Sequence, residues 1–262
     1  MRRLRHALSA LGFAILCWSP AGGAHFLELI PDTDLVTRDT ANPLALAITF
    51  THPMSGGPAM PMEAPVRFGV VGPGGRQDLR AALQPVQVDG ERAYRADFRV
   101  RRPGDYAFFV EPPPYWEPAE GRLIVHYPKV VVNAYGGGGD WQEPLGLPVE
   151  IVPLTRPYGL WTGNVFRGVV IRDGRPVSHA EVEVEWRNDG SVEPPADAYL
   201  TQVVRADDQG VFAYGIPRAG WWGFAALLEA AEPALAPSGE SVPVELGALI
   251  WVHARDMSGA GR

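Results

Sequence analysis

Cysteine is almost missing from this chain: one residue, Cys17, in 262. It falls inside the N-terminal apolar stretch described below, so the remainder holds no thiol. That excludes a disulfide framework, thiolate catalysis and Cys-type zinc sites. Basic charge is scarce too, with 23 Lys and Arg against 30 Asp and Glu and a formal charge of -7. An acidic surface argues against nucleic acid and against anionic membrane as partners. After residue 24 no apolar run approaches the ~20 residues that a membrane-spanning helix needs. Sustained helical periodicity and internal repeats are also absent. No Ser lies in a nucleophile elbow. The run Gly136–Gly139 lacks the Lys-Ser/Thr that completes a phosphate-cradling loop, and reads as a flexible connector.

What the chain does have is 30 Gly and 26 Pro, a composition suited to many short strands joined by turns. Leu44, Leu46, Ile48 and Phe50 alternate with smaller residues, the period of a half-buried strand. Tyr94, Ala96, Phe98 and Val100 repeat the pattern, turn at Arg102-Pro103-Gly104-Asp105, and return through Tyr106–Val110. Val182, Val184 and Trp186 alternate with Glu181, Glu183 and Glu185, predicting one buried and one wet face. Pro112-Pro113-Pro114-Tyr115-Trp116-Glu117-Pro118 is too rich in proline for regular structure. The fold class is therefore all-β, with two tandem β-sandwich domains. An immunoglobulin-like half spans 25–135. A second sandwich spans 136–262, with the boundary at the glycine run.

The N-terminus carries its own signal. Arg2, Arg3 and Arg5 precede the apolar run Ala10–Trp18, and Ala21-Gly22-Gly23-Ala24 supplies a small-residue exit. This is the pattern of a secretory signal peptide over residues 1–24, and it places the protein in the periplasm. Cleavage after Ala24 would start the mature chain at His25. A terminal histidine offers a free amine and an imidazole, two nitrogens that can chelate nickel, copper or zinc.

Five histidines follow the leader: His25, His52, His126, His179 and His253. His52 sits where a strand meets a proline-held loop, and His126 follows the aromatic loop. These two are the expected partners of His25. His253 on the last strand and His179 in a turn are weaker candidates. Met54, Met60 and Met62 cluster nearby, and thioethers add soft ligands. Glu63 and Glu143 could support such a site from outside it. Glu117 with Glu120, and Asp207 with Asp208, are the carboxylate pairs to weigh for hydrolysis, but no local feature fixes their separation.

Longer stretches resemble a known family. They are Phe50-Thr51-His52-Pro53-Met54 with Met60-Pro61-Met62-Glu63-Ala64-Pro65, Tyr115–Glu120 with His126-Tyr127, Trp141–Gly168, and Arg218–Leu227. Together they are similar to the DUF4198 family. That resemblance implies a periplasmic component of a nickel or cobalt uptake system that is not an enzyme. It would capture Ni2+, with Co2+ and Cu2+ as alternatives, and pass it to a membrane transporter complex without inserting into the membrane. The second half also resembles the carboxypeptidase-regulatory or prealbumin-like sandwich, through Gly168, Asp173–Val177, Ala180–Val182 and Asp208–Phe212. That family usually has glycine where His179 stands. Two other readings of the same residues are a copper oxidase with an N-terminal histidine brace, and a metal-free adhesive scaffold.

Overall fold

A computed structural model describes residues 25–257. The leader, its cleavage after Ala24 and Cys17 lie outside the described residues. The chain is all-β, and its only helical elements among the described residues are two single 3-10 turns, Arg80–Ala82 and Asp197–Tyr199.

The spine is the 13-residue strand Arg122–Ala134, buried along nearly its whole length. On one side it pairs in parallel with Val244–Arg255, from Leu123 opposite Val244 to Val130 opposite Trp251. On the other it pairs antiparallel with Gly104–Glu111. Around this pair grows an 11-stranded sheet. From edge to edge its main path runs Gln202–Arg205, Glu181–Trp186, Gly220–Glu229, Val244–Arg255, Arg122–Ala134, Gly104–Glu111, Arg67–Gly72 and Gly75–Asp78. Its first four strands come from the second half of the chain and its last four from the first half.

Both faces of this sheet are covered, and strand alternation sorts the side chains between two cores. Ile124, Val130, Val132, Leu249 and Trp251 enter one core. Leu123, Val125, Tyr127, Ala248, Ile250 and Val252 enter the other. The first core is closed by a four-stranded sheet of Phe26–Pro31, Leu44–Thr51, Glu91–Phe98 and Gln84–Val88. The second is closed by Val149–Pro153, Val165–Arg172, Arg175–Pro176 and Val211–Gly215. The two cores lie on opposite faces of the shared central sheet, and each draws side chains from both halves of the chain. Burial on two faces explains why Arg122–Ala134 is apolar at most positions and why its polar members His126, Lys129 and Asn133 are buried too. Each fully buried Val, Leu, Ile or Phe contributes about 1.5–3 kcal/mol.

Pro128 lies inside this central strand, where proline is normally excluded because it cannot donate to a ladder. It falls between the segments paired with Tyr115–Glu117 (at 122–124) and with Gly104–Glu111 (at 131–134), so that side of the strand carries no ladder at Pro128. The aromatic loop is more regular than its prolines suggest. Tyr115, Trp116 and Glu117 retain their N–H groups and form a short strand against Arg122–Ile124.

Two further expectations are corrected. The glycine run is packed at alternate positions: a Cβ on Gly137 would sit 2.6 Å from the Pro103 carbonyl carbon and one on Gly139 would sit 2.7 Å from Asp105 Oδ2, while Gly136 and Gly138 face open space. The acidic face of Glu181–Trp186 is not simply wet. Glu185 is 2% exposed, because the loop after His52 docks there and the Met54 N–H donates to Glu185 Oε2 at 3.0 Å. Where the spine meets the second sandwich, Lys129 and Glu150 form a buried ion pair at 2.9 Å. The N–H groups of Leu145 and Leu147 also donate to the Glu150 carboxylate.

Candidate functional site

His25 directly precedes the first strand, and packing around Phe26 fixes its position. The Phe26 ring stands edge-on to Trp251, with centroids 6.0 Å apart. Trp251 in turn donates its indole N–H to the Leu27 carbonyl at 3.1 Å. Gly223 makes room, since a Cβ there would sit 2.8 Å from the Trp251 ring and 3.0 Å from Phe26.

The ladder then chooses the partner of His25. Phe26–Pro31 pairs antiparallel with Leu44–Thr51, and Phe26 faces Thr51. One step further out, His25 faces His52, and their ring centroids are 4.6 Å apart. Pro53 and Met54 hold His52 in place: Asn188 donates to both of their carbonyls, from its N–H to Pro53 and from its side-chain amide to Met54.

Phe50 joins His126 to this pair. Its ring lies 5.7 Å from His25 and 5.8 Å from His126, and it meets Tyr115 edge-on at 5.1 Å. His126 is 2% exposed and lies flat over Gly247 of the neighbouring strand. A Cβ at Gly247 would stand 2.8 Å from His126 Nε2 and closer still to its Cδ2. Nε2 is 3.2 Å from Glu245 Oε1. An ionised carboxylate only accepts, so Nε2 carries the proton and, in the neutral ring, Nδ1 carries the lone pair. Nδ1 is buried and has no hydrogen-bond partner.

Carboxylates ring the histidines. His25 Nε2 lies 3.2 Å from Glu117 Oε2, and His25 Nδ1 lies 3.9 Å from Glu120 Oε1. Arg122 ties Glu120 (3.3 Å) to Glu245 (3.1 Å). Burial, reinforced by His52, pushes His25 down from 6.5 to about 4, although Glu117 pulls the other way. His25 is therefore neutral at pH 7, and its contact with Glu117 is not an ion pair at that pH. Burial alone would raise Glu245, but the bonds from His126 and Arg122 outweigh it and hold the carboxyl below its usual range. Glu183 is pushed up to about 7, first by burial and then by Glu245, Glu185 and Glu120.

The cluster thus gathers His25, His52 and His126, together with Glu117, Glu120 and Glu245. Met62 is buried near it and Met60 half-buried, both against the same core. Met54 faces the other core, beside Trp186 and Trp222. Glu63 is exposed and paired with Arg92 at 3.0 Å. Glu143 lines a separate hollow, with Asp105 and Trp141. His253 stacks on Trp221 and faces Asp34, away from the cluster. His179 is exposed, pairs with Asp208, and has φ 57°, a left-handed backbone that explains why glycine suits this turn. Asp207 caps its own turn through the N–H groups of Gln209 and Val211.

Imidazoles within a ring of carboxylates are chemically suited to a transition-metal cation. Among the described residues, no three His, Cys, Asp or Glu side chains converge closely enough to hold a metal ion as they stand. In the uncut chain the His25 nitrogen is a peptide amide, and cleavage before it would add an amine donor beside the His25–His52 pair. No helix among the described residues is long and apolar enough to cross a membrane.

A family model described as Domain of unknown function (DUF4198) matches residues 23–230. No curated protein matches. Solved structures with some likeness include the D0-D1 domain of intimin, at 12% identity and a TM-score of 0.21, covering 88% of this chain and 100% of that one. A two fibronectin type-III domain segment from chicken tenascin has 10% identity and a TM-score of 0.23, covering 86% and 98%. A Ca2+-stabilized adhesin that helps an Antarctic bacterium bind ice has 10% identity and a TM-score of 0.24, covering 92% and 51%.

Proposed function

The chain belongs to the DUF4198 family, and we propose that it is a non-enzymatic periplasmic protein that captures a transition-metal cation for uptake. The cation is Ni2+, with Co2+ and Cu2+ as alternatives, and the mature protein passes it to a membrane transporter. The His25 amine and imidazole bind first, and His52 and His126 complete the set. The observation that carries this reading is the apposition of His25 and His52, with ring centroids 4.6 Å apart, at the position a trimmed leader would leave as the N-terminus.

Three features support it. His25 stays neutral to about pH 4, and only a neutral nitrogen binds metal. Glu117, Glu120 and Glu245 give the site an attraction for cations that a single Arg122 offsets only in part. The Glu245–His126 bond fixes the ring as carboxylate–histidine–metal arrangements do, leaving the other nitrogen for the ion.

The test is calorimetry with Ni2+, Co2+ and Cu2+ on protein exported with its own leader, its N-terminus fixed by mass. Binding of one ion per chain is expected, and it should fall sharply when one residue is added before His25. No binding of any of the three ions defeats the proposal. The same paired imidazoles fit a copper brace, and copper- and peroxide-dependent oxidation of a polysaccharide would replace capture with catalysis.

A further inference from the structure

A cleft of about 270 Å³ opens against the histidine cluster. Its walls include Phe50, Met62, Tyr115, Trp116 and Ile124, and His126 lies among them. An engineered apolar cavity of roughly 150 Å³ holds benzene, so this one has room for a ligand of one or two rings. Prolines 112–114 stiffen its rim. Glu63, the carboxylate among its lining residues, is engaged with Arg92.

The cleft and the cluster share Phe50 and His126, and the Phe50 ring contacts both His25 and His126. His126 Nδ1 is buried and accepts nothing from the protein. An occupant of this region meets two environments. One side offers nitrogen donors backed by Glu117, Glu120 and Glu245, and the other offers flat aromatic and thioether surface. A bare hydrated ion uses only the first. An apolar molecule uses only the second and leaves the imidazole lone pair unsatisfied.

We infer that the species captured is a cation already held by a small, flat, aromatic chelator, with the chelator seated in the cleft and the cation facing the histidines. This rests on the metal-capture reading and names its substrate class. Apolar burial of the chelator adds affinity that the ion alone cannot supply. The cation fills the lone pair that an apolar ligand would strand.

The test uses the processed protein and three probes: Ni2+ alone, 2,2′-bipyridine alone, and their 1:1 complex. Calorimetry should show the complex binding at least tenfold more tightly than either component. Pro61→Trp, at the exposed mouth of the cleft, should bring the complex down to the affinity of Ni2+ alone and leave Ni2+ alone unchanged. Tyr115→Ala, which removes a wall, should weaken the complex in the same selective way and stands in if Pro61→Trp does not fold. If Ni2+ binds but bipyridine strips it away, or the complex gains nothing, the chelate inference fails and ion capture stands. A gain that survives both substitutions also defeats the cleft assignment. If neither the ion nor the complex binds, both readings fall together.

Discussion

His25 faces His52 across the open end of a ladder whose last pair is Phe26 with Thr51. Their contact therefore follows from strand register, and it survives only while Phe26 stays wedged against Trp251.

Shortening the His52 side chain tests the pair directly. His52→Ala should lower Ni2+ affinity at least tenfold in calorimetry and leave the melting temperature within a few degrees of the parent, because His52 is only half-buried. Unchanged affinity would remove His52 from the site.

Gly247 tests the seat of His126. Gly247→Ala places a methyl group inside the ring's volume, and overpacking of this kind costs about 1–3 kcal/mol. Chemical denaturation should show that loss, and metal affinity should drop as the ring is displaced. A variant as stable as the parent would mean the ring does not lie against Gly247.

The buried clasp between spine and second sandwich should be costly to break. Glu150→Ala strands the Lys129 ammonium, which burial already pushes below its usual range despite the partner carboxylate. Removing one partner of such a pair costs about 3–5 kcal/mol. A loss under 1 kcal/mol in urea denaturation would show that water reaches Lys129.

Glu183 predicts a pH dependence of opposite sign to the common acid-denaturation trend. Burial and neighbouring carboxylates raise it from 4.5 to about 7 in the folded chain. Between those values the folded state keeps a proton that the unfolded state has lost, so stability falls as pH rises from about 4.5 to about 7. Glu185, raised to about 7 by burial, acts in the same direction. His25, lowered to about 4, acts oppositely, losing stability as pH falls from 6.5 toward 4. Glu183→Gln isolates the first contribution: measured against the parent at pH 5 and pH 8, it should be relatively more stable at pH 8. Parallel pH profiles for the two proteins would contradict this.

The left-handed turn gives a prediction away from the site. His179→Gly relieves a backbone conformation that costs an L-residue about 1 kcal/mol and gives up only an exposed pair with Asp208. A small rise in melting temperature is expected; a fall would show that the ion pair outweighs the strain.

Much of the fold was legible because strand burial has a period of two. Leu44, Leu46, Ile48 and Phe50 all enter one core, and Val182, Val184 and Trp186 the other. What stayed hidden depends on pairing between distant segments. Nothing near Glu245 marks it as the partner of His126, 119 positions earlier. Glu117 and Glu120 read as turn acids until the first strand brings His25 to them. Gly247 was the one local hint, since a glycine inside an apolar strand often marks a close approach. The shared central sheet was equally invisible, because parallel pairing of Arg122–Ala134 with Val244–Arg255 leaves no mark in either strand alone.

That parallel seam sets an order of events. His25 and His52 come early in the sequence, but Glu245, Gly247 and Trp251 all lie on the closing strand. The bed beneath His126 and the wedge that holds His25 therefore both wait for that strand, and a chain cut short before it would have neither.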